Sequence, residues 1–362
     1  MKSFTYNALP ARVIFGIDTL PSIAQEIKTL GCTKALVLTT PQQIAEGQQV
    51  LKLIGAELAA GIYTEATMHT PTDVTEKAVA FAQELNADCV VAIGGGSTTG
   101  LGKAIALRTG LKQIVVPTTY AGSEATPIIG ETAGSVKKTQ KTMKVLPNVI
   151  LYDVKLTLTL PLRLTLTSGV NAVAHAVEAL YTSDSNPIID GLALQGITAL
   201  VRALPQIMHS PLDSDALLSA RSDALFGAWA CGTCLGAVGM SLHHKICHTL
   251  GGTFNLPHAD THTVMLPHVM AYNGPYAKEA MEKIASALKA AGLVADSAAG
   301  GIWDMVKSLN GPTSLRELGM REEDLDKAAA IASQHPYPNP GPLDRDLLAR
   351  LLLNAWNGTR PE

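Results

Sequence analysis

Short apolar runs alternate with amphipathic stretches over the first 160 residues of the chain. Four runs rich in β-branched residues predict buried strands of a parallel sheet, at 12–16, 35–40, 89–96 and 113–119. Between the second and third runs, residues 72–87 carry apolar side chains at the spacing of one helical face. This βαβ alternation predicts an α/β domain with a Rossmann-like parallel sheet.

The pattern changes after residue 160, where strand-like runs nearly vanish and helical periodicity recurs between Pro and Gly residues. The predicted helices cover residues 167–181, 188–205, 213–239, 277–291 and 343–356. The chain therefore predicts two domains, an α/β domain over residues 1–160 and an all-α domain over residues 161–362. Because no long polar linker separates them, we expect a ligand site in a cleft at their boundary.

Composition is typical of a packed globular protein. Of the 362 residues, 47% belong to the hydrophobic class and 16% are charged, which argues against intrinsic disorder. The formal net charge is −3 and no basic run occurs, so neither nucleic acid nor a membrane surface is an expected partner. A small-molecule ligand is the remaining expectation.

Targeting signals and a disulfide framework are not apparent in the sequence. The first fifteen residues lack the unbroken apolar stretch of a signal peptide, and residues 224–240 are too short and glycine-rich for a membrane span. Five cysteines are too few for a disulfide framework, so we expect a cytoplasmic protein. The CGTC motif at 231–234 stands alone in an apolar helical run, which predicts a packing role.

A glycine-rich turn follows the third predicted strand and precedes a predicted helix at 99–107. Its residues are Gly94, Gly95, Gly96, Ser97 and Thr98. Without Cβ atoms, backbone N–H groups and a helix N-terminus can approach a pyrophosphate group. The turn is also compatible with a simple tight bend, because the GxGxxG fingerprint is missing.

Hydroxyl groups after two other predicted strands favour a dinucleotide ligand. Thr118, Thr119 and Ser123 follow the fourth strand, at the edge where an open parallel sheet binds ligands. Thr40 ends the second strand, where an acidic residue would contact the ribose 2′-hydroxyl and repel a 2′-phosphate. Because Thr40 does neither, we expect both NADH and NADPH to be accepted.

Seven of the ten histidines lie in two segments of the second half, at 168–181 and 241–269. Two pairs are spaced i, i+4 on predicted helices, so that each pair projects from one helical face. The pairs are Asn171 with His175, and His244 with His248. Together with His258, which follows a glycine-rich bend, we expect them to converge on one cleft. His262 and His268 are expected to be ordinary histidines outside the site.

Imidazole groups suit zinc or ferrous iron, so the histidine cluster could hold a divalent metal. Asn171, however, offers a neutral amide oxygen where an Asp would bring a negative charge. We therefore expect no tightly bound metal.

Five motifs in order carry a family resemblance. They are GGGSTTGLGKAIAL at 94–107, PTTYAGSE at 117–124, NAVAHAVEALY at 171–181, HHKICHTLGG at 243–252 and NLPHADTHTVMLPHV at 255–269. The chain resembles the iron-containing alcohol dehydrogenase superfamily and, within it, the maleylacetate reductases. The likeness covers nearly the whole chain, including residues 337–358. It implies a dehydroquinate synthase-like architecture, with a dinucleotide-binding α/β domain, an all-α catalytic domain and a homodimer.

The resemblance also identifies positions at which this chain departs from the superfamily. When the metal-ligand positions of the superfamily are carried over to this chain, they fall on Asn171, His175, His244 and His258. His248 then corresponds to the histidine near the nicotinamide. Asn171 replaces the usual Asp, and Gly100 replaces the usual Asp of the glycine-rich motif. The segment after Thr119 is one residue shorter, with Tyr120. These departures resemble the maleylacetate reductases, which are regarded as working without metal.

The same resemblance implies the cofactor contacts, whereas the substrate contacts are our own expectation from the positions of two residues. The cofactor contacts are Gly95, Gly96, Ser97, Thr118, Thr119 and Lys137. Lys245, beside the histidine pair, and Tyr337, in the C-terminal Pro-rich loop, are the expected partners of substrate carboxylates.

The implied reaction is the reduction of maleylacetate to 3-oxoadipate in the degradation of aromatic compounds. Maleylacetate is a dicarboxylate with a carbon–carbon double bond conjugated to a ketone. Hydride addition leaves an enolate, whose oxygen needs hydrogen bonds and whose α-carbon needs a proton. We expect His244 and His175 to bind the enolate oxygen. His248 is then the expected proton donor, with His258 in support.

Three alternative functions stay open. A metal-dependent alcohol or polyol dehydrogenase of the same superfamily predicts activity that a chelator abolishes. A dehydroquinate synthase-like lyase needs charged metal ligands and several basic residues for a phosphorylated substrate, of which the histidine region offers mainly Lys245. A non-catalytic nucleotide sensor would leave the converging histidines without a purpose.

Overall fold

The fold is that of a computed structural model, which describes residues 4–134, 136–212, 214–334 and 337–362. The side chains of Val136 and Lys137 lie outside this description. Residue contacts divide the described chain into two units. Ala8–Leu160 forms the N-terminal unit, and Pro161–Glu362 forms the C-terminal unit together with the described residues before Ala8.

The N-terminal unit alternates strands with helices. Its strands are β1 (Arg12–Gly16), β2 (Ala35–Leu38), β3 (Ala59–Tyr63), β4 (Cys89–Gly94), β5 (Lys112–Pro117), β6 (Ile128–Ala133), β7 (Val136–Lys141) and β8 (Val149–Asp153). Its helices are α1 (Ile23–Thr29), α2 (Ile44–Leu58), α3 (Thr72–Glu84) and α4 (Gly96–Thr109). In the described part of this unit, six strands form a parallel sheet in the order β1-β8-β5-β4-β2-β3. This sheet confirms the predicted α/β fold.

The central strands are buried because helices cover both faces of the sheet. Along β4, Val91 and Ile93 pack into one hydrophobic core with α1 and α2, whereas Val90 and Ala92 pack into another with α3 and α4. Successive side chains of a strand point to opposite faces, so a strand between two helical layers is apolar throughout. The apolar runs in the sequence are therefore continuous because helices cover both faces of these strands.

Two features of the sheet differ from the sequence prediction. The run at 12–16 is a parallel strand as expected, but β1 lies at the sheet edge, and Val13 and Phe15 are exposed. The burial predicted for this strand is therefore wrong. The prediction also omits β3, β8 and the antiparallel β6–β7 hairpin, in which β7 is polar (VKKTQK).

The described residues of the C-terminal unit after Leu160 contain helices and no strand. The α-helices are α5 (Leu162–Tyr181), α6 (Pro187–His209), α7 (Asp215–Ala237), α8 (Leu242–Phe254), α9 (His258–Asn273), α10 (Lys278–Ala290), α11 (Ala298–Ser308), α12 (Leu325–Ser333) and α13 (Arg345–Asn357). Helix α5 is the centre of this bundle, because it packs against α6, α7 and α9 and is buried from Thr165 to Leu180. Its polar side chains therefore need partners inside the protein.

Helix α6 has the length and apolarity of a membrane span. It packs against α5, α7 and α10 of the bundle. These contacts are those of a core helix in a helical domain. The cysteines of the CGTC motif lie buried on α7, where the thiol of Cys234 contacts the carbonyl oxygen of Ile189, as the predicted packing role requires.

Two glycines allow α6 and α7 to approach closely. A Cβ atom on Gly196 would lie 2.6 Å from the Cys231 Sγ atom, and one on Gly227 would lie 3.0 Å from the Gly196 carbonyl oxygen. Real Cβ atoms do not approach backbone so closely, so the crossing depends on both residues being glycine.

We expect the Gly227→Ala substitution to destabilise the protein by about 1–3 kcal/mol, because the added methyl group overpacks the α6–α7 contact. Gly191→Ala on α6 is the matched control, since its Cβ would meet no atom within 4 Å. Alanine favours a helix by up to about 1 kcal/mol over glycine, so the control should be neutral or stabilising. Urea denaturation followed by circular dichroism measures both, and equal midpoints for the two variants would contradict the close crossing.

Candidate active site

The glycine-rich turn lies directly at a helix N-terminus. Helix α4 begins at Gly96, three residues before the start predicted from the sequence. Gly94 has a φ angle of 143°, which favours glycine, and Gly95 caps the helix without any side-chain hydrogen bond to its N–H groups. The first N–H groups of the helix can therefore bind an anion.

The loop after β5 lies against this turn. The backbone N–H of Thr118 donates to the carbonyl oxygen of Gly94 at 2.9 Å. A Cβ atom on Gly95 would lie 2.9 Å from the Cγ2 atom of Thr119, so the approach requires glycine. The structure thus brings these two predicted cofactor segments together.

Gln43, which the sequence analysis did not identify, links two of the predicted positions. Its amide nitrogen donates to the Thr118 hydroxyl at 3.1 Å, and its amide oxygen accepts from the Thr40 hydroxyl at 3.4 Å. Thr40, Gln43 and Thr118 therefore share one edge of the sheet. This edge carries neutral hydrogen-bonding groups.

Other predicted cofactor residues have different surroundings. Thr98 is buried, and its hydroxyl donates to the Gly95 carbonyl oxygen at 2.9 Å, so we expect it to shape the turn rather than to contact a ligand. Ser97 and Ser123 are partly exposed at the turn and the loop. Lys137 lies on β7 opposite Thr132, and its side chain lies outside the described residues.

The N-terminal unit fits the pyrophosphate of a dinucleotide. A Cβ atom on Gly96 would meet no protein atom within 4 Å, so this position borders open space at the helix N-terminus. A phosphate group placed there would gain hydrogen bonds and a favourable helix dipole. Gly100, by contrast, faces protein, because its Cβ would lie 2.3 Å from the Thr70 hydroxyl oxygen.

The C-terminal unit brings six histidines together from three helices. They are His175 on α5, His243, His244 and His248 on α8, and His258 and His262 on α9. Ring centroids lie 5.1 Å apart for His175 and His244, 6.1 Å for His244 and His248, and 6.5 Å for His248 and His258. The four predicted histidines therefore do converge, although none of these distances identifies their chemical roles.

Exposure changes across the cluster. His175, His243, His244 and His262 are buried, whereas His248 and His258 are exposed. Burial lowers the pKa of His175 and His262 well below the usual value, and it lowers that of His243 to about 3. These three imidazoles are therefore neutral near pH 7.

Glu178 is a buried acid beside the histidine cluster that the sequence analysis missed. It is fully buried one turn after His175 on α5, and its carboxylate lies 2.6 Å from Nδ1 of His244. It also accepts hydrogen bonds from the backbone N–H groups of Ser241 at 3.0 Å and His243 at 2.8 Å, at the start of α8. Burial would raise its pKa, but the hydrogen bond from His244 and the backbone donors outweigh burial and lower it. Glu178 thus caps α8 and orients one imidazole.

The contact with Glu178 fixes the tautomer of His244. A carboxylate accepts only, so Nδ1 carries a hydrogen and Nε2 carries one only when the ring is a cation. Nε2 of His244, Nδ1 of His175 and Nε2 of His262 are buried without a hydrogen-bond partner among the described residues. Because such atoms are rarely left unpaired, they indicate where a ligand group binds.

His262 is a second missed member, since the expectation that it lies outside the site is wrong. Its ring centroid is 4.4 Å from that of His258 and 5.0 Å from that of His244, and its Nδ1 atom lies 2.9 Å from Nε2 of His243. The i, i+4 spacing from His258 on α9 is the signal that could have identified it. His268, further along α9, is buried, and its Nε2 atom also has no hydrogen-bond partner among the described residues; its expected place outside the site stays a prediction.

The carried-over positions do not match the donor set of an iron site. Asn171 supplies a neutral amide, and the neighbouring carboxylate of Glu178 is already bound by three N–H donors. Among the described residues, two groups of three donors have all ligand atoms within 4.8 Å of one another, and neither is the His175, His244 and His258 trio. Those groups are His243 with Cys247 and His262, and Cys32 with Asp88 and Cys89.

Tyr337 and Lys245, the two residues expected to bind substrate carboxylates, have different surroundings. Tyr337 donates its hydroxyl to the carbonyl oxygen of Ala332 at 2.9 Å and packs against the core of the unit. A phenol has one hydrogen to donate, and here that hydrogen is bound within the protein; the expected contact of Tyr337 with a substrate carboxylate stays a prediction. Lys245 is partly exposed beside His244, with its ammonium 5.9 Å from the Tyr337 ring centre. Lys245 remains a candidate.

Comparison with known proteins gives one consistent family. The family described as "Iron-containing alcohol dehydrogenase" matches residues 10–154, and "Fe-containing alcohol dehydrogenase family, C-terminal" matches residues 165–356. A maleylacetate reductase of Burkholderia cepacia is 51% identical over 361 residues, covering 100% of each chain.

Two solved structures are similar over their whole length. A maleylacetate reductase from Agrobacterium tumefaciens has a TM-score of 0.94 and 48% identity, with 100% of each chain covered. A putative alcohol dehydrogenase from Ralstonia eutropha JMP134 has a TM-score of 0.96 and 49% identity, again with 100% of each chain covered.

We expect the Gly96→Ala substitution to weaken NADH binding by about tenfold or more, because the added methyl group occupies the space in which a phosphate would meet the helix N-terminus. The thermal midpoint of the ligand-free protein should not fall, since the same methyl group meets no protein atom. Fluorescence titration with NADH and thermal unfolding provide the two measurements. Unchanged NADH affinity would place the pyrophosphate elsewhere.

Proposed function

Because the chain belongs to the iron-containing alcohol dehydrogenase family, we propose that it is a maleylacetate reductase. It reduces the carbon–carbon double bond of maleylacetate to give 3-oxoadipate, with NADH or NADPH as the reductant, in the degradation of aromatic compounds. Relatives that carry this name match the full length at 46–51% identity. The observation that carries the proposal is the histidine cluster, in which Asn171 stands where metal-dependent members place an anionic ligand.

The reaction sets three tasks for the protein. Bound NADH or NADPH supplies a hydride, which adds to the alkene carbon β to the ketone. The electron pair of the double bond moves to the ketone oxygen, which must be stabilised as an enolate. The α-carbon then takes a proton while the ketone re-forms, and the two carboxylates must be held throughout.

We assign the stabilisation of the enolate oxygen to His244 and His175. When His244 is protonated, its Nε2–H can donate to the oxyanion, and the carboxylate of Glu178 compensates the positive charge at 2.6 Å. The ring of His175 stacks on that of His244 and presents a second buried nitrogen. Since the charge forms on an enolate, hydrogen bonds can replace a metal here.

We assign proton delivery to His248, with His258 in support. His248 is exposed, so it can exchange protons with solvent between turnovers, and its ring lies 6.1 Å from that of His244. Lys245 follows His244 directly in the sequence, and its ammonium is assigned to one substrate carboxylate.

We also propose that the protein works without a tightly bound metal, as a cytoplasmic homodimer. The donor set at the carried-over positions lacks an anionic ligand, which weakens the binding of a divalent cation. Edge strand β1 exposes Val13 and Phe15, and an unpaired parallel edge with apolar side chains suits association with a second copy.

Maleylacetate should support rapid NADH oxidation in the presence of a chelator, and simple alcohols and aldehydes should not be turned over. The metal-dependent alternative predicts the opposite pattern, with activity on alcohols that a chelator removes and ferrous iron or zinc restores. Steady-state assays with and without chelator separate the two functions. Metal analysis of the same purified sample checks the occupancy. Loss of maleylacetate reduction after chelation would contradict the proposal.

We expect Glu178→Gln to lower kcat for maleylacetate by about 10²-fold or more, because an amide cannot stabilise the protonated form of His244. The KM for NADH should change little, since Glu178 lies in the C-terminal unit, outside the predicted cofactor residues. Glu282→Gln, at an exposed position on α10, is the control for the same chemical change. A Glu178→Gln enzyme with the turnover of the control would refute this role.

A further inference from the structure

Lys103 is a buried cation that the proposed reaction does not use. It lies on α4, two turns after the glycine-rich turn, and its side chain is fully buried. Its Nζ atom lies 2.7 Å from the carbonyl oxygen of Ser123, 2.8 Å from that of Thr126 and 2.7 Å from that of Ile128. The Thr126 hydroxyl oxygen is a fourth neighbour at 3.0 Å. One ammonium group thus binds several oxygens of a single segment.

These acceptors all belong to residues 123–128, the segment that leads from the loop after β5 into β6. Three of the four acceptors are backbone carbonyl oxygens. Their positions depend on the conformation of the backbone and not on which side chains the segment carries. Gly122, with a φ angle of 79°, turns the chain immediately before them. Hydrogen bonds from a charged donor are stronger than those between neutral groups, so Lys103 holds this path firmly.

A buried anion accompanies the cation. The carboxylate of Glu124 accepts a hydrogen bond from the Tyr152 hydroxyl on β8 at 2.8 Å. Burial lowers the pKa of Lys103 to about 7, and the attraction of Glu124 opposes this shift. Burial likewise raises the pKa of Glu124, which Lys103 opposes. The two groups offset part of the unfavourable desolvation of each other.

The segment held by Lys103 continues the loop that carries the predicted cofactor residues. At its start, Thr118 is hydrogen-bonded to Gly94, and Thr119 closely approaches Gly95. At its end, residues 123–128 are bound to Lys103. Helix α4 therefore supports both elements of the predicted dinucleotide site, one at its N-terminus and one through Lys103.

We propose that Lys103 is a positioning residue for the dinucleotide, because its ammonium holds residues 123–128 on α4 and so fixes the loop from Thr118 relative to the glycine-rich turn. The inference rests on the proposed use of NADH or NADPH. Lys103 itself does not touch the dinucleotide. It affects dinucleotide binding by fixing the backbone of the loop.

The test compares NADH binding by the full-length parent with that by Lys103→Met and Thr126→Val. The first variant removes the cation, and the second removes one acceptor while leaving the charge in place. Arg108→Met is the matched control, because Arg108 is a cation on the same helix that pairs with Glu76 and Glu131 and not with residues 118–128. Fluorescence titration gives the NADH dissociation constant, and steady-state kinetics give KM and kcat.

We expect Lys103→Met to raise the NADH dissociation constant about tenfold or more, and Thr126→Val about threefold, as the loss of hydrogen bonds to a charged donor implies. The KM for NADH should rise in parallel, while kcat at saturating NADH stays near that of the parent. A role in stability alone would lower the thermal midpoint and the folded fraction, but would leave the dissociation constant of the folded molecules unchanged. That result in both variants overturns the inference.

If Lys103→Met does not fold, Thr126→Val provides the test, since it keeps both the buried ammonium of Lys103 and the buried carboxyl group of Glu124. Its NADH affinity then either falls below that of the Arg108→Met control, as expected, or equals it and overturns the inference. The binding measurement needs no maleylacetate. A parent that binds NADH but does not reduce maleylacetate refutes the proposed function, whereas a Lys103 dependence of NADH binding still supports this inference.

Discussion

The carboxylate of Glu178 lies where burial alone would keep it protonated, and the arrangement of the surrounding helices prevents this. Backbone N–H groups at the start of α8, the Nδ1–H of His244 and the Tyr181 hydroxyl all donate to it, so the anion has four donors in place of water. Three of these contacts join α5 to α8. The direction of α8 and the tautomer of His244 are therefore set by one side chain.

This single anion also explains how a cluster of six imidazoles can remain packed together. Like charges at ring separations of 4–6 Å repel strongly, and burial makes each cation less favourable still. The buried rings of His175, His243 and His262 avoid this by remaining neutral, and the ring of His244 lies against the carboxylate of Glu178. The two exposed rings, His248 and His258, keep contact with water. The proposed oxyanion stabilisation and proton exchange thus fall to different members of one cluster.

The sequence predicted those parts of the fold that depend on burial patterns and helical spacing. Strands β2, β4 and β5 have apolar residues throughout because both faces are covered, whereas the polar strand β7 offers no such signal. The histidine pairs were found because i, i+4 spacing is local. Glu178 was not, because its partners on α8 lie more than 60 residues away along the chain, and only the fold brings them to its carboxylate. The hydrogen bond from the Tyr337 hydroxyl to the Ala332 carbonyl oxygen was not predicted either.

The contact between Gly100 and Thr70 restricts how this chain could regain the superfamily pattern at its glycine-rich helix. Any side chain at position 100 would start 2.3 Å from the Thr70 hydroxyl oxygen, inside a buried helix face. An acidic residue there is therefore compatible with the fold only once position 70 has become smaller or has moved. The order of substitutions is consequently constrained, and redesign toward an acidic residue at position 100 must begin at Thr70 rather than at the motif itself.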